Sequence, residues 1–346
     1  MLKVAIVGGS GYTGLELLRL LARHPEVRVT AITSRRYEGR EVTEVFPSLQ
    51  PYRGLAFTAP EPAALAGQAE FFFTAVPHQA AMKVVPGLLA AGGRVVDLSA
   101  DFRLRDRQTY EAWYQAHEAP ELLDEAVYGL PEVYGPRIAA ARLVANPGCY
   151  PTSALLPLVP LLREGLVAPE GLVIDSKSGA SGAGRGASLA TAFCEVNEAF
   201  RAYKVGEHRH TPEIEQELSA AAGRPVVVNF TPHLVPVSRG IFTTIYADLA
   251  RPGTGTAEIL ACLEAFHRPH PFVTVLPEGT LPNVLHVRGG NACHIGARVD
   301  PRTGRVILLS VIDNLVKGAA GQAIQNLNLM AGLDPASGLD ITGLCP

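Results

Sequence analysis

The spacing of apolar and polar positions changes character near the middle of the chain. Residues 2–8, LKVAIVG, are a nearly continuous apolar run ending in glycine, as a strand buried on both faces of a parallel sheet requires. GLELLRLLARH at 14–24 then places Leu17, Leu18, Leu21 and Ala22 on one helical face. VRVTAIT (27–33), AEFFFTAVP (69–77) and GRVVDLSA (93–100) predict further strands, with HQAAMKVVPGLLAAG as a helix between the last two. Strand and helix in alternation predict a doubly wound α/β domain of the dinucleotide-binding type. After residue 150 the runs lengthen and turn β-rich. PVVVNFTPHLVPV (225–237) and GIFTTIYADL (240–249) have little helix between them, and 292–313 predicts a hairpin turning at Pro301 to Gly304. This half predicts an α+β domain with a large, mostly antiparallel sheet. NLVKGAAGQAIQNLNLMAG (314–332) returns to helical spacing and is expected to pack back on the first domain. The predicted domains are therefore 1–148 with 314–346, and 149–313.

Composition narrows the classes of partner. The chain has 346 residues, 47% hydrophobic and 18% charged, a globular balance. Its net charge of -3 gives no electrostatic reason to expect nucleic acid or an anionic membrane. No apolar run approaches the roughly 20 residues of a spanning helix, since ALLPLVPLL at 154–162 is short and broken by prolines. The cysteines are Cys149, Cys194, Cys262, Cys293 and Cys345, without a CxxC pair, so neither a disulfide framework nor a structural zinc site is expected. Cys194, Cys262, Cys293 and Cys345 read as small buried hydrophobes. The opening residues enter a strand at once and lack the layout of a signal peptide, which with reduced thiols predicts a cytoplasmic protein.

Two glycine-rich stretches carry candidate cofactor chemistry. GGSGYTG follows the first strand and opens the first helix, with Gly8, Gly11 and Gly14 three apart and Ser10, Tyr12 and Thr13 between them. Such a turn lets backbone approach a pyrophosphate at a helix N-terminus. An NAD site usually ends its second strand in a carboxylate, but here the strand runs into Ser34, Arg35 and Arg36. A hydroxyl and two guanidiniums suit a 2′-phosphate, so NADP(H) is the expected cofactor. Pro77, ending the strand 69–77, joins the cofactor set. SKSGASGAGRGAS (176–188) supplies Ser178, Gly179, Ser181 and Gly182 as a loop able to approach a nicotinamide, with Arg185 for a substrate phosphate; a plain surface loop is the competing reading. Ser99 and Arg103 follow a first-domain strand, where ligands of open α/β sheets bind.

NPGCYPT at 146–152 sets Cys149 between a Pro-Gly turn and a helix predicted to start near Tyr150, with Pro151 in its first turn. A thiolate there is stabilised by the helix dipole and unpaired N–H groups. A thiol nucleophile usually works with histidine, and GEHRHTPEIEQEL supplies His208 and His210 around Arg209. Thr211 is the expected N-cap and Pro212 the first helical residue. The HxH pair also raises metal binding, but no third ligand is near and thiol chemistry needs no metal.

These stretches, with TSRR, LSADFRL, HLVPVSRGI and IDNLVKGAAGQAIQNLN, resemble the semialdehyde dehydrogenase family over essentially the whole chain. The resemblance implies NADP-linked reduction of a small acyl phosphate through a Cys149 thioester, with a histidine moving protons. It implies His208 first and His210 second for that role, though spacing alone leaves the two open. It also implies Asn314 near the nicotinamide, and a homodimer or homotetramer formed through the second domain's sheet. Within the family the Tyr-Pro after Cys149 favours N-acetylglutamyl phosphate of arginine biosynthesis over carrier-bound aminoadipyl phosphate of lysine biosynthesis. A non-catalytic dinucleotide-binding sensor is the alternative from another class.

Overall fold

The first apolar run forms β1 (Leu2–Val7), whose last four residues are fully buried. The computed structural model describes residues 1–344, and Cys345 lies outside them. β1 sits inside a sheet with β2 (Val27–Thr33), β3 (Phe57–Thr58), β4 (Phe71–Thr74), β5 (Arg94–Asp97), β6 (Val127–Tyr128) and β7 (Leu143–Ala145). The order is β3-β2-β1-β4-β5-β7-β6 and every pairing is parallel. Parallel strands need crossover helices that cover both faces, which is why β4 is buried at all four positions. The order reverses between β1 and β4, and the C-terminal ends of those strands open the crevice where such sheets take ligands. Helix Tyr12–Leu21 follows β1 and buries Leu17, Leu18, Leu20 and Leu21. Ala22, expected on that face, is the exposed C-cap, because the helix has already ended.

The second half builds a mixed sheet from β8 (Leu172–Gly179), β9 (Arg201–Ala202), β10 (Val228–Val235), β11 (Ile241–Asp248), β12 (Val273–Val275), β13 (Cys293–Val299) and β14 (Arg305–Ile312). Its order is β12-β13-β14-β11-β8-β10-β9, antiparallel except at β8–β10 and β12–β13. The expected hairpin is β13–β14, turning over Pro301 to Gly304. Helices Cys149–Arg163, Thr211–Ala222 and Thr256–His267 pack on the face formed by residues such as Ile174, Ile245 and Leu308. The opposite face leaves Phe242, Thr244, Ile307 and Leu309 only half-buried and Tyr246 exposed.

The chain divides into a unit of Met1–Pro147 with Ala319–Asp340, and a unit of Gly148–Gly318 with the segment beginning at Ile341. The boundary therefore falls before Gly148, one residue earlier than expected, and the return to the first unit comes at Ala319 rather than at 314. Residues 314–318 stay in the second unit because Asn314 is tied there: it accepts the Gly240 N–H at 2.7 Å and donates to Ser181 Oγ at 2.9 Å. Beyond Asp340, Leu344 donates its N–H to Arg288 at 2.6 Å, again in the second unit. Helix Gly321–Met330, entered through a π turn at Val316–Ala320, is buried along nearly its whole length in the first unit. There Asn326 Nδ2 donates to Gly129 O and Asn146 Oδ1. Of the cysteines expected in cores, Cys293 is buried, Cys262 half-buried, and Cys194 exposed on a projecting segment.

Candidate active site

The turn after β1 has the form an anion requires. Gly8 takes φ +82°, a left-handed conformation that costs glycine nothing, and its N–H donates to Thr33 Oγ1 at 3.0 Å. A side chain at Gly14 would collide with the Gly9 carbonyl, so the loop closes tightly on its own helix. The helix Tyr12–Leu21 begins with no side-chain cap on Gly11, and its first-turn N–H groups, from Tyr12 to Gly14, face the turn. Ser34 Oγ donates to Ser10 Oγ at 2.9 Å, joining the turn to the tip of β2. Arg35 and Arg36 follow, both exposed. Pro77 comes just after Val76, whose side chain fills the space over Gly8. These residues fit a nicotinamide dinucleotide carrying a 2′-phosphate: open backbone for the pyrophosphate, and cations beside a hydroxyl at the end of β2.

Ser99 and Arg103 turn inward instead of lining that crevice. Ser99 is buried and its hydroxyl donates to Asp97 Oδ2 at 2.7 Å. Asp97 also accepts from Thr74 Oγ1, and burial, reinforced by the Asp101 charge, pushes its carboxyl up to about 6. Arg103 donates to the carbonyls of Asn146 and Leu98 at 2.8 and 2.9 Å. It thus fixes the backbone of Asn146, three residues before the candidate nucleophile. Asp101 accepts the Gln79, Ala81 and Met82 N–H groups and the Tyr110 hydroxyl, anchoring the loop after Pro77 to the helix Ala81–Ala90.

In the second unit Cys149 is the first residue of the helix Cys149–Arg163, with Gly148 as cap, and is half-buried. Residues 150–162 are all buried, so the prolines at 151, 157 and 160 are held by packing on every side. Gly148 donates its N–H to Glu213 Oε1 at 2.8 Å. A side chain at Gly148 would meet His210 Nε2 at 2.5 Å, and one at Gly318 would meet Cys149 Cβ at 2.7 Å. His210 therefore lies against the residue before Cys149, and the π turn lies against Cys149 itself. His210 is also the N-cap of the next helix, so Thr211 is its first residue and Pro212 its second. The helix starts one residue earlier than the hydroxyl signal implied, which leaves Glu213 facing Gly148.

His208 packs edge-on to Tyr150, Tyr203, Phe230 and His210, with ring centroids 4.8 to 5.6 Å apart. Burial, assisted by Lys204 and Arg209, lowers its imidazole to about 4. The Tyr150 and Tyr203 hydroxyls share a hydrogen bond of 2.9 Å. Burial pushes Tyr203 up to about 12 and Tyr150 higher still, so both stay neutral. A histidine lowered from 6.5 binds its proton in the unfolded chain first as pH falls. His208 thus costs no stability above about pH 6.5 and drains it as pH drops from there towards about 4. The urea midpoint of His208→Gln should accordingly fall less between pH 7 and 5 than that of the wild type; equal slopes would mean His208 is not held neutral.

Ser178, Gly179, Ser181 and Gly182 end β8 and enter a short 3-10 turn. Gly179 lies against Arg239 and Ser238 backbone, and Gly182 near Ser178 Oγ and Asn314 Nδ2. The structure thus brings this loop together with Asn314, and it sets His210 against Gly148 and His208 against Tyr150, the two neighbours of Cys149 in sequence. Arg209 is half-buried beside the histidines, while Arg185 is exposed further along the loop. Asp313, absent from the expectations, is fully buried; it accepts the Gly289, Leu315 and Val316 N–H groups and pairs with Arg239 at 3.4 Å. Tyr203 is likewise absent from the expectations, and Glu213 is expected only as an acid supporting the first helical turn. An acid and a tyrosine near HxH were the only local signals. Among the described residues no three His, Cys, Asp or Glu side chains stand together as a metal site, and no helix is long and apolar enough to cross a membrane.

Comparison with known proteins gives the family. A model described as "Semialdehyde dehydrogenase, NAD binding domain" matches residues 3–141, and one described as "Semialdehyde dehydrogenase, dimerisation domain" matches 149–314. Relatives named N-acetyl-gamma-glutamyl-phosphate reductase from Geobacter sp. (strain M21) and Desulfotalea psychrophila are 56% and 54% identical over all of both chains. Among solved structures, aspartate semialdehyde dehydrogenase II of Vibrio cholerae superposes with a TM-score of 0.74, covering 96% of this chain and 98% of that one at 20% identity. The Candida albicans enzyme with NADP gives 0.71, with 96% and 98% covered, at 18% identity. At such identities the structures speak for the fold alone.

Proposed function

The chain belongs to the semialdehyde dehydrogenase family, and from that premise we propose that it reduces N-acetyl-gamma-glutamyl phosphate to N-acetylglutamate semialdehyde and phosphate with NADPH, a step of arginine biosynthesis. It is an oxidoreductase that uses a nicotinamide dinucleotide. The observation that carries the chemistry is Cys149 at the first position of a buried helix, beside two imidazoles.

In this reading the Cys149 sulfur attacks the acyl carbon, the bond to the phosphate oxygen breaks, and phosphate leaves a thioester on Cys149. The helix N-terminus stabilises the thiolate. The thiol proton passes to an imidazole. What supports His210 there is its contact with Gly148, and what argues against His208 is that its Nδ1 accepts the His210 N–H at 3.1 Å. That bond places the neutral ring's proton on Nε2, which makes His208 a donor suited to the carbonyl oxygen. The order implied by the family resemblance is thus reversed in this proposal. NADPH, when bound, supplies the hydride that takes the thioester to the aldehyde level. The carbon–sulfur bond then breaks, releasing the aldehyde and returning Cys149 as thiolate.

The turn Gly8–Gly14, with Ser10, Tyr12, Thr13, Ser34, Arg35, Arg36 and Pro77, would hold the cofactor in the first unit. Ser178, Gly179, Ser181, Gly182 and Asn314 would serve it in the second, with Arg185 and Arg209 for the substrate's anionic groups. Ser99 and Arg103 act as positioning residues, given their inward bonds. Replacing Arg35 and Arg36 by alanine should raise the KM for NADPH about tenfold or more and that for NADH less than about twofold. Equal rises would remove the 2′-phosphate assignment.

The family model of a dimerisation domain supports a homo-oligomer. The half-buried apolar face of β11 and β14 supports the sheet as its interface, in a dimer or a tetramer. The cytoplasm is the compartment that keeps Cys149 reduced. The reaction is tested in reverse, by following phosphate-dependent NADPH formation from N-acetylglutamate semialdehyde. Turnover only with a carrier-bound aminoadipate semialdehyde would transfer the substrate to lysine biosynthesis. Cofactor binding without turnover of either would leave a sensor.

A further inference from the structure

Residues 182–200 project from the second unit as an arm between the Ser178 loop and β9. Gly182 to Ala190 are all exposed. Within 189–200, Leu189 is 79% exposed, Phe193 78% and Phe200 63%. Single exposed apolar residues are ordinary, but three large ones on one short segment mark a surface that is completed by another molecule. The arm is not a loose tail. Thr191 bonds back to Ser188, Glu195 and Val196 to Ala192, and Asn197 to Phe193. Arg201, from β9, donates to the carbonyls of Ala190 and Glu195 at 2.6 and 3.2 Å and holds the shape. A preformed segment with its large side chains outward loses little conformational freedom on docking.

The occupant follows from where the arm leads. Phe200 packs edge-on against His233, with centroids 5.5 Å apart. His233 pairs with Asp175 at 3.3 Å on the sheet face that no helix covers. The arm's apolar surface therefore runs on into the face proposed above as the interface. The stretch matched by the dimerisation-domain model, 149–314, contains both. We infer that the arm docks through Leu189, Phe193 and Phe200 on a second copy of this chain, as a contact additional to the sheet face. This rests on the homo-oligomer of the proposed function.

Sedimentation of the full chain across a concentration series tests it. Leu189→Ser with Phe193→Ser should weaken self-association at least about tenfold, the effect of removing one buried aromatic anchor. Leu309→Asp, on the sheet face, reports the other contact. A wild type that stays monomeric throughout would remove the oligomer itself and the arm contact with it. A wild type that associates, beside an arm variant that is folded and unweakened, would overturn the arm contact alone. Hydrogen exchange on the wild type gives the answer if the arm variant does not fold. Amides of 184–200 should exchange more slowly in concentrated than in dilute protein, and equal rates would overturn the inference.

Discussion

Cys149→Ser should lower acyl-phosphate reduction by about 10⁴-fold or more while leaving the Kd for NADPH within about twofold of wild type. The large loss follows from the chemistry. Serine keeps the size and place of the thiol, but its hydroxyl does not ionise near neutral pH, so the helix N-terminus has no anion to stabilise. The small change in binding follows from the architecture. The glycine turn, Ser34 and the two arginines belong to the first unit, and Cys149 opens a helix of the second. Titration calorimetry with NADPH and a stopped assay on the same preparation give both numbers. A variant that no longer binds NADPH would show that Cys149 shapes the fold instead of attacking the substrate.

Gly148→Ala is expected to lower kcat by about 10²-fold without removing a reacting group. Gly148 has φ -67° and ψ 156°, which alanine adopts freely, so the backbone itself gains no strain. The added methyl would instead lie 2.5 Å from His210 Nε2, inside van der Waals contact. The imidazole must move, and the Gly148 N–H bond to Glu213 is disturbed with it. A displacement of about 1 Å at a reacting group costs about 10²-fold in kcat. The thermal midpoint should shift little and KM should change less than kcat. Full activity in the folded variant would mean that His210 does not act from that position.

Elements whose signal is periodic were legible from the sequence. β1, β2, β4, β5 and the β13–β14 hairpin each carry their burial pattern in consecutive residues, whereas β3, β6 and β7, two or three residues long, carry none. The Cys149 helix was legible through Pro151 and the apolar run behind it. What escaped was set by partners distant in sequence. Glu213 looks like ordinary first-turn acid until the fold brings Gly148, 65 positions away, onto its carboxylate. Ser99 and Arg103 sit at the expected strand end, but Asp97 and the Asn146 carbonyl claim them. Tyr203 becomes part of the histidine cage only because β9 pairs with β10. Asp313 was unreadable because its acceptor role depends on a π turn, which has no distinct sequence period.

The first two of the three places where the chain passes between units are neighbours within each of them. In the second unit, Gly318 lies against Cys149, one residue beyond the entry point. In the first, Asn146 donates to the Ala319 carbonyl at 3.2 Å, bridging exit and re-entry. Residues 148–318 are therefore a topological insertion within the first unit, and the segment beginning at Ile341 rejoins the second. Joining residue 147 to 319 by a few glycines would close the host domain on itself, and residues 148–318 form a cassette with adjacent ends. Cys149, the proposed nucleophile, stands one residue inside those ends, so a cassette of different sequence would carry its own reactive residue at its entry.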